Sequence, residues 1–193
     1  MKLDCLIAGV GGQGTVLLSR LIGEAAVKRG LDIRGSETIG MAQRGGSVMS
    51  HLRIGEGAVS PLIGPGGADV LIAFEPAEAV RAFSFLSPRG RLLVLDRGIL
   101  PVSSMLGKAY DPAVMIGYLR DRLEGEGRLS LVSWESLRQY CDSPRVLNVA
   151  LLGWAITEGL LPFSREEILA VLRERLPPKY LDMNIRALRG NTR

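Results

Sequence analysis

Gly9, Val10, Gly11, Gly12, Gln13 and Gly14 follow directly on the apolar run Leu3–Ala8 and directly precede Thr15, Val16, Leu17 and Leu18. A strand that breaks into spaced glycines and reopens as a helix gathers backbone N–H groups at the positive end of a helix dipole. That arrangement is a cradle for an anion or a phosphate. It is also how a dinucleotide-binding unit opens, and such a unit makes further demands on the chain.

A dinucleotide fold requires a crossover helix between its second and third parallel strands, and an acidic residue near the end of the second strand for the ribose. The segment from Leu31 to Thr38 extends after Gly30 stops the first helix, and Glu37 is placed for the ribose role better than Asp32. Ser47 to Ile54 alternates apolar and polar residues at period two and reads as a half-buried strand. Only Ile39–Gly46 separates the two strands, eight residues of which three are glycine. That length closes a tight turn and cannot hold a crossover helix, so the strands are expected to be antiparallel. The expected fold is therefore a three-layer α/β/α architecture with a mixed central sheet and a Rossmann-like start, one domain over residues 1–193.

The remaining elements follow the same logic. Residues 3–9 read as a buried strand and 13–29 as a helix, with Val16, Leu17, Leu21, Ile22, Ala25 and Ala26 at helical spacing. The stretch from Gly55 to Ala68 is a Gly/Pro-rich loop, Asp69–Phe74 a buried strand, and a helix opens at Pro76. Arg91–Asp96 makes another strand. Asp111 with Pro112 marks the N-cap of a helix running to about Leu123. Leu129–Val132 is a short strand, and Ser164 with Glu167 fits a capping box. No internal repeat or low-complexity segment interrupts this order.

Composition excludes several function classes. The 193 residues carry 24 Lys plus Arg against 20 Asp plus Glu, a net charge of +4. The cations are scattered, thickening only at Arg173, Arg175, Lys179, Arg186, Arg189 and Arg193, with few aromatics among them. Nucleic acid is not expected as a partner. Two cysteines, Cys5 and Cys141, and one histidine cannot supply the four ligands of an iron–sulfur cluster or a structural zinc, so no metal is expected on this chain. Nothing resembles a signal peptide, and no apolar stretch reaches the roughly 18 residues of a membrane span. A cytoplasmic chain that meets no membrane is the expectation.

Gly40, Met41, Ala42, Gln43, Arg44, Gly45, Gly46 and Ser47 form the tight connection. The glycines permit close approach of backbone, and the arginine offers a planar fork suited to carboxylate or phosphate. The plainer reading is a glycine turn with a solvent-facing arginine. This segment, the glycine run at 9–14, Ser60–Ile63, Phe74–Glu78, Asn148–Gly153 and the terminal Asn184…Gly190 together resemble one family: the gamma-type subunits of 2-oxoacid:ferredoxin oxidoreductases, most of all the small (beta) subunits of its indolepyruvate branch. The resemblance covers nearly the whole chain in order.

The resemblance implies a multisubunit enzyme that decarboxylates a 2-oxoacid, here indolepyruvate, couples the acyl group to coenzyme A and passes electrons to ferredoxin. The chain shows no thiamine motif and no cluster cysteines. Thiamine diphosphate and iron–sulfur clusters are therefore expected on a large alpha subunit, with ferredoxin reached through the complex, coenzyme A as cosubstrate, and the chain inactive alone. No catalytic residue is assigned. The expected cofactor-contacting residues are Gly9, Gly11, Gly12, Gln13, Gly14, Gln43, Arg44, Gly45 and Gly46. Other residues carry plainer readings: His51 as a hydrogen-bonded structural histidine, Glu75 as a helix cap with an interface carboxylate as the alternative, and Asn148 as an N-cap. A stand-alone NAD(P)- or FAD-binding oxidoreductase using Glu37, or a non-catalytic scaffolding subunit, are the competing functions.

Overall fold

The structure is a computed structural model and describes residues 1–39, 45–57, 59–99, 110–141 and 143–190. Its centre is strand β1 (Leu3–Val10), buried along its whole length. Helix α1 (Thr15–Lys28) follows, then strands β2 (Ile33–Ile39), β3 (Ser47–Ile54) and β4 (Ala68–Ala73). Helix α2 (Pro76–Ala82), strand β5 (Leu86–Leu95), helix α3 (Pro112–Leu123) and strand β6 (Leu129–Val132) complete the sheet-forming part. Four helices close the chain: α4 (Trp134–Arg138), α5 (Leu147–Thr157), α6 (Arg165–Arg175) and α7 (Pro178–Arg189). No helix among the described residues is long and apolar enough to cross a membrane.

The six strands lie in the order β2-β3-β1-β4-β5-β6. β3 pairs antiparallel with both β1 and β2, whereas β4, β5 and β6 continue in parallel from β1. The sheet is mixed, as the short connection after Thr38 requires. Burial follows from alternation along each strand. Cys5, Ile7, Ile72, Leu93 and Leu95 face a core shared with α1 and α4–α7, while Leu6, Ala8, Leu71, Ala73 and Val94 face α2 and α3. Those two cores make the three layers α/β/α.

Local chemistry sets the element ends. Asp111 caps α3, its Oδ1 accepting from Ala113 N at 2.9 Å. Ser164 and Glu167 form a reciprocal capping box at α6. α5 is apolar around most of its circumference and is buried against its neighbours, the expected fate of a helix without a polar face. The backbone of Leu188 in α7 approaches Gly153 of α5 so closely that a Cβ there would lie 2.3 Å from the Leu188 carbonyl oxygen.

One expectation is corrected. Asn148 is not an N-cap: the 3₁₀ turn Pro144–Val146 feeds α5 directly, Val146 holds the cap position, and Asn148 lies inside the helix. Its buried side chain donates from Nδ2 to the carbonyl of Gly14, at 3.3 Å. Gly14 itself is left-handed, with φ 83°, and ends the loop that opens α1.

Gly12, with φ +100°, has open space around a would-be Cβ, whereas at Gly14 that atom would lie 2.6 Å from Asn148 Nδ2. Gly12→Ala should therefore lose only the left-handed backbone term, about 1 kcal/mol. Gly14→Ala should lose about 1–3 kcal/mol more through the clash. Urea denaturation of the two variants checks the order, and equal midpoints would contradict it.

Candidate functional site

The carboxyl ends of β1, β4, β5 and β6 point to one edge of the sheet, where ligands bind in open α/β folds. There the glycine loop closes on itself. Gln13 N donates to the Val10 carbonyl at 3.1 Å, and Val10 N donates back to Gln13 Oε1 at 2.7 Å. Gln13 Nε2 reaches the Phe74 carbonyl at the end of β4, at 3.3 Å. Both ends of the Gln13 amide are thus occupied in holding the loop to the sheet. Gly9 is buried beneath that side chain, and a Cβ there would lie 2.7 Å from Gln13 Oε1. Gly12 is exposed, Gly11 and Gly14 half-buried, and the first turn of α1 has no side-chain cap. The loop therefore presents open backbone donors to solvent.

The β2–β3 connection meets this loop. Gly11 N donates to the Gly46 carbonyl at 2.8 Å, and Gly45 N donates to the Gly11 carbonyl at 3.4 Å, extending the β1–β3 ladder past the strands. Gly45 and Gly46 are thus placed beside the glycine run. Gln43 and Arg44 lie outside the described residues. A cleft of about 310 Å³ opens at this junction, with Gly11, Gly12, Gln13, Gly45, Arg97 and Pro144 among its walls.

Arg97 is the site residue that reading the sequence missed. It follows β5, is exposed, and lies over the Trp134 ring with its guanidinium carbon 4.0 Å from the ring centroid. That stacking orients a planar five-donor cation beside the open glycine backbone. The available signal was topological: a strand parallel to β1 delivers the residue after it to the same edge.

Beneath the junction lie two buried carboxylates. Glu75 caps α2, accepting from Glu78 N at 2.7 Å, and also accepts from the Tyr110 hydroxyl. Burial, reinforced by that carboxylate, holds the Tyr110 phenol above its usual pKa. Glu78 accepts from Ser47 at the start of β3 and pairs with Arg81, so it ties the connection to α2. Glu75 has the capping role read from the sequence. His51 has the structural one: it is buried, and its Nδ1 accepts from Ile63 N at 3.2 Å. Burial lowers its pKa and favours the neutral ring.

The settings of Cys5 and Glu37 argue against a cluster ligand at the one and a ribose contact at the other. Cys5 is fully buried in β1, and burial pushes its thiol up to about 12, unsuited to a thiolate ligand. Among the described residues no group of three His, Cys, Asp or Glu is arranged to hold a metal. Glu37 lies within β2, and the whole of β3 separates β2 from β1. It sits two strand spacings, roughly 10 Å, from the glycine strand and cannot serve a ribose bound there.

Comparison with known proteins agrees with this geometry. The family model described as pyruvate ferredoxin/flavodoxin oxidoreductase matches residues 4–190. The indolepyruvate oxidoreductase subunit IorB of Archaeoglobus fulgidus is 39% identical over 191 residues, covering 98% of this chain and 93% of that protein. The subunit of the same name from Thermococcus kodakarensis is 35% identical, covering 96% and 92%. Among solved structures, the pyruvate oxidoreductase subunit PORC of Thermotoga maritima superposes with a TM-score of 0.65 at 24% identity, covering 98% of this chain and 94% of that one. The 2-oxoglutarate:ferredoxin oxidoreductase of Magnetococcus marinus superposes with a TM-score of 0.69 at 19% identity over 98% of this chain, which spans 30% of that longer one. The fold is shared with these structures, and the chain belongs to the pyruvate ferredoxin/flavodoxin oxidoreductase family.

Proposed function

We propose that this chain is the small subunit of an indolepyruvate ferredoxin oxidoreductase, an assembly that decarboxylates the 2-oxoacid oxidatively, forms the acyl-coenzyme A and passes the electrons to ferredoxin. The observation that carries this reading is the near full-length similarity, 39% identity over 98% of the chain, to a subunit named for indolepyruvate oxidation. The stand-alone NAD(P) or FAD reading is not favoured, because β3 keeps Glu37 away from the glycine strand. A cytoplasmic location belongs to the same proposal.

In this reading thiamine diphosphate and the iron–sulfur clusters reside on a large alpha subunit, and ferredoxin is reached through it. The absence of four cysteines from the chain supports that division. Thiamine diphosphate supplies carbanion stabilisation when bound there. The small subunit is left to bind, orient and neutralise charge. Open backbone donors at Gly12 and Gly14, the Gly45 and Gly46 backbone bonded to Gly11, and Arg97 form one surface facing the large subunit, and ligand contacts by Gln43 and Arg44 belong to the same proposal. Its chemistry suits a phosphate, whether of coenzyme A or of thiamine diphosphate. Gly9 and Gln13 act beneath that surface by fixing the loop, and Glu78 does so by fixing Ser47.

Co-expression with the large subunit tests the assignment. The purified complex should reduce ferredoxin with indolepyruvate only when coenzyme A is present, and the small subunit alone should be colourless and inactive. Turnover by the small subunit alone would refute it. Within the complex, Arg97→Ala should raise the KM for coenzyme A about tenfold with little change in kcat, the loss expected for one charged contact to a phosphate. Unchanged steady-state kinetics would remove Arg97 from the binding surface.

A further inference from the structure

A second cavity, of about 220 Å³, lies on the other side of the 3₁₀ turn Pro144–Val146 from the glycine cleft. The turn serves both: Pro144 lines the cleft, while Arg145 and Val146 line the cavity. Leu17 of α1, Val146, Leu176 and Met183 of α7 form apolar walls, and the Tyr180 ring adds an aromatic one. Val146 belongs to the main core and Leu17, Leu176 and Met183 pack against it, so the cavity between them is suited to a hydrophobic group.

Two polar groups address that cavity. Asn184 lines it and is only 6% exposed. Its Nδ2 is used, donating to the Tyr180 carbonyl at 2.7 Å. Among the described residues no donor is bonded to its Oδ1. With Asn184 in the cavity wall, that oxygen is available as an acceptor in a largely apolar surround, where a donor from a ligand is worth most. Arg145 is exposed at the rim and makes no ion pair among the described residues, so it offers a cation to an anionic group leaving the slot.

We propose that this cavity binds an aromatic carboxylate carrying a ring N–H, with the ring between Leu17 and Met183, the N–H donated to Asn184 Oδ1 and the carboxylate on Arg145. An indolyl acid satisfies all three requirements. Its identification with the substrate class rests on the functional reading above, and the site would hold such a molecule beside the glycine cleft. The cavity has no part in the surface assigned to phosphate binding, and none of its lining residues belongs to the glycine loop.

Isothermal titration calorimetry of the full chain with indole-3-acetate tests the site. Saturable binding is expected, about tenfold weaker for 1-methylindole-3-acetate, which lacks the N–H donor, and about tenfold weaker in Arg145→Ala. Met183→Trp, which fills the slot, should abolish binding. Absent saturation, or equal affinity of the unaltered chain for the two indolyl acids, would overturn the proposal. The methylated ligand decides this without any variant, so a misfolded substitution does not obscure the result. Because the readout is binding rather than turnover, failure of the site leaves the enzyme assignment standing. Failure of that assignment would appear instead as an inactive complex whose small subunit still binds the acid.

Discussion

The pairing of β3 with β1 governs the rest of the molecule. Eight register pairs, from Leu3 with Ile54 to Val10 with Ser47, place an antiparallel strand where a dinucleotide fold would put its second parallel one. The ladder then runs on beyond the strands through Gly11 and Gly46, joined at 2.8 Å. Two consequences follow from this one interaction. β2 is displaced to the sheet edge, which takes Glu37 out of reach of the glycine loop. Gly45 and Gly46, at the end of the β2–β3 connection, are drawn against that loop, so backbone from two glycine-containing segments lies side by side.

That surface is held from below. Gln13 bonds the backbone of its own loop and the end of β4, Asn148 bonds the Gly14 carbonyl, and Glu78 bonds Ser47. Each contact uses a side chain that would otherwise compete for a ligand, and leaves backbone N–H groups and Arg97 facing out. A loop fixed in this way is preorganised for an anion, since little order remains to be imposed on binding. Residues 9–14 supply backbone and one amide side chain, the groups of a binding loop.

Much of this was legible in the sequence because it depends on short-range chemistry. An eight-residue connection with three glycines excludes a crossover helix whatever surrounds it, and the mixed sheet follows. Asp111 with Pro112 and Ser164 with Glu167 announce their caps because capping acts within one turn. α7 has no place in the sequence reading, although Pro178 in its first turn is a residue type that begins helices. The site was half legible. The glycines declare a cradle, but the partners of Gln13 and Asn148 lie 61 and 134 residues away, and only the folded register brings them together. Arg97 is adjacent to nothing informative along the chain, and becomes a site residue only because β5 runs parallel to β1.

The central claim is that residues 9–14 with Gly45 and Gly46 form a surface completed by another subunit. Hydrogen–deuterium exchange of the chain, alone and within the complex with the large subunit, tests it most directly. Assembly should slow exchange at Gly11, Gly12, Gly45 and Gly46 together, while the interior of β1, already buried, stays unchanged. Unaltered exchange across both glycine segments on assembly would contradict the account.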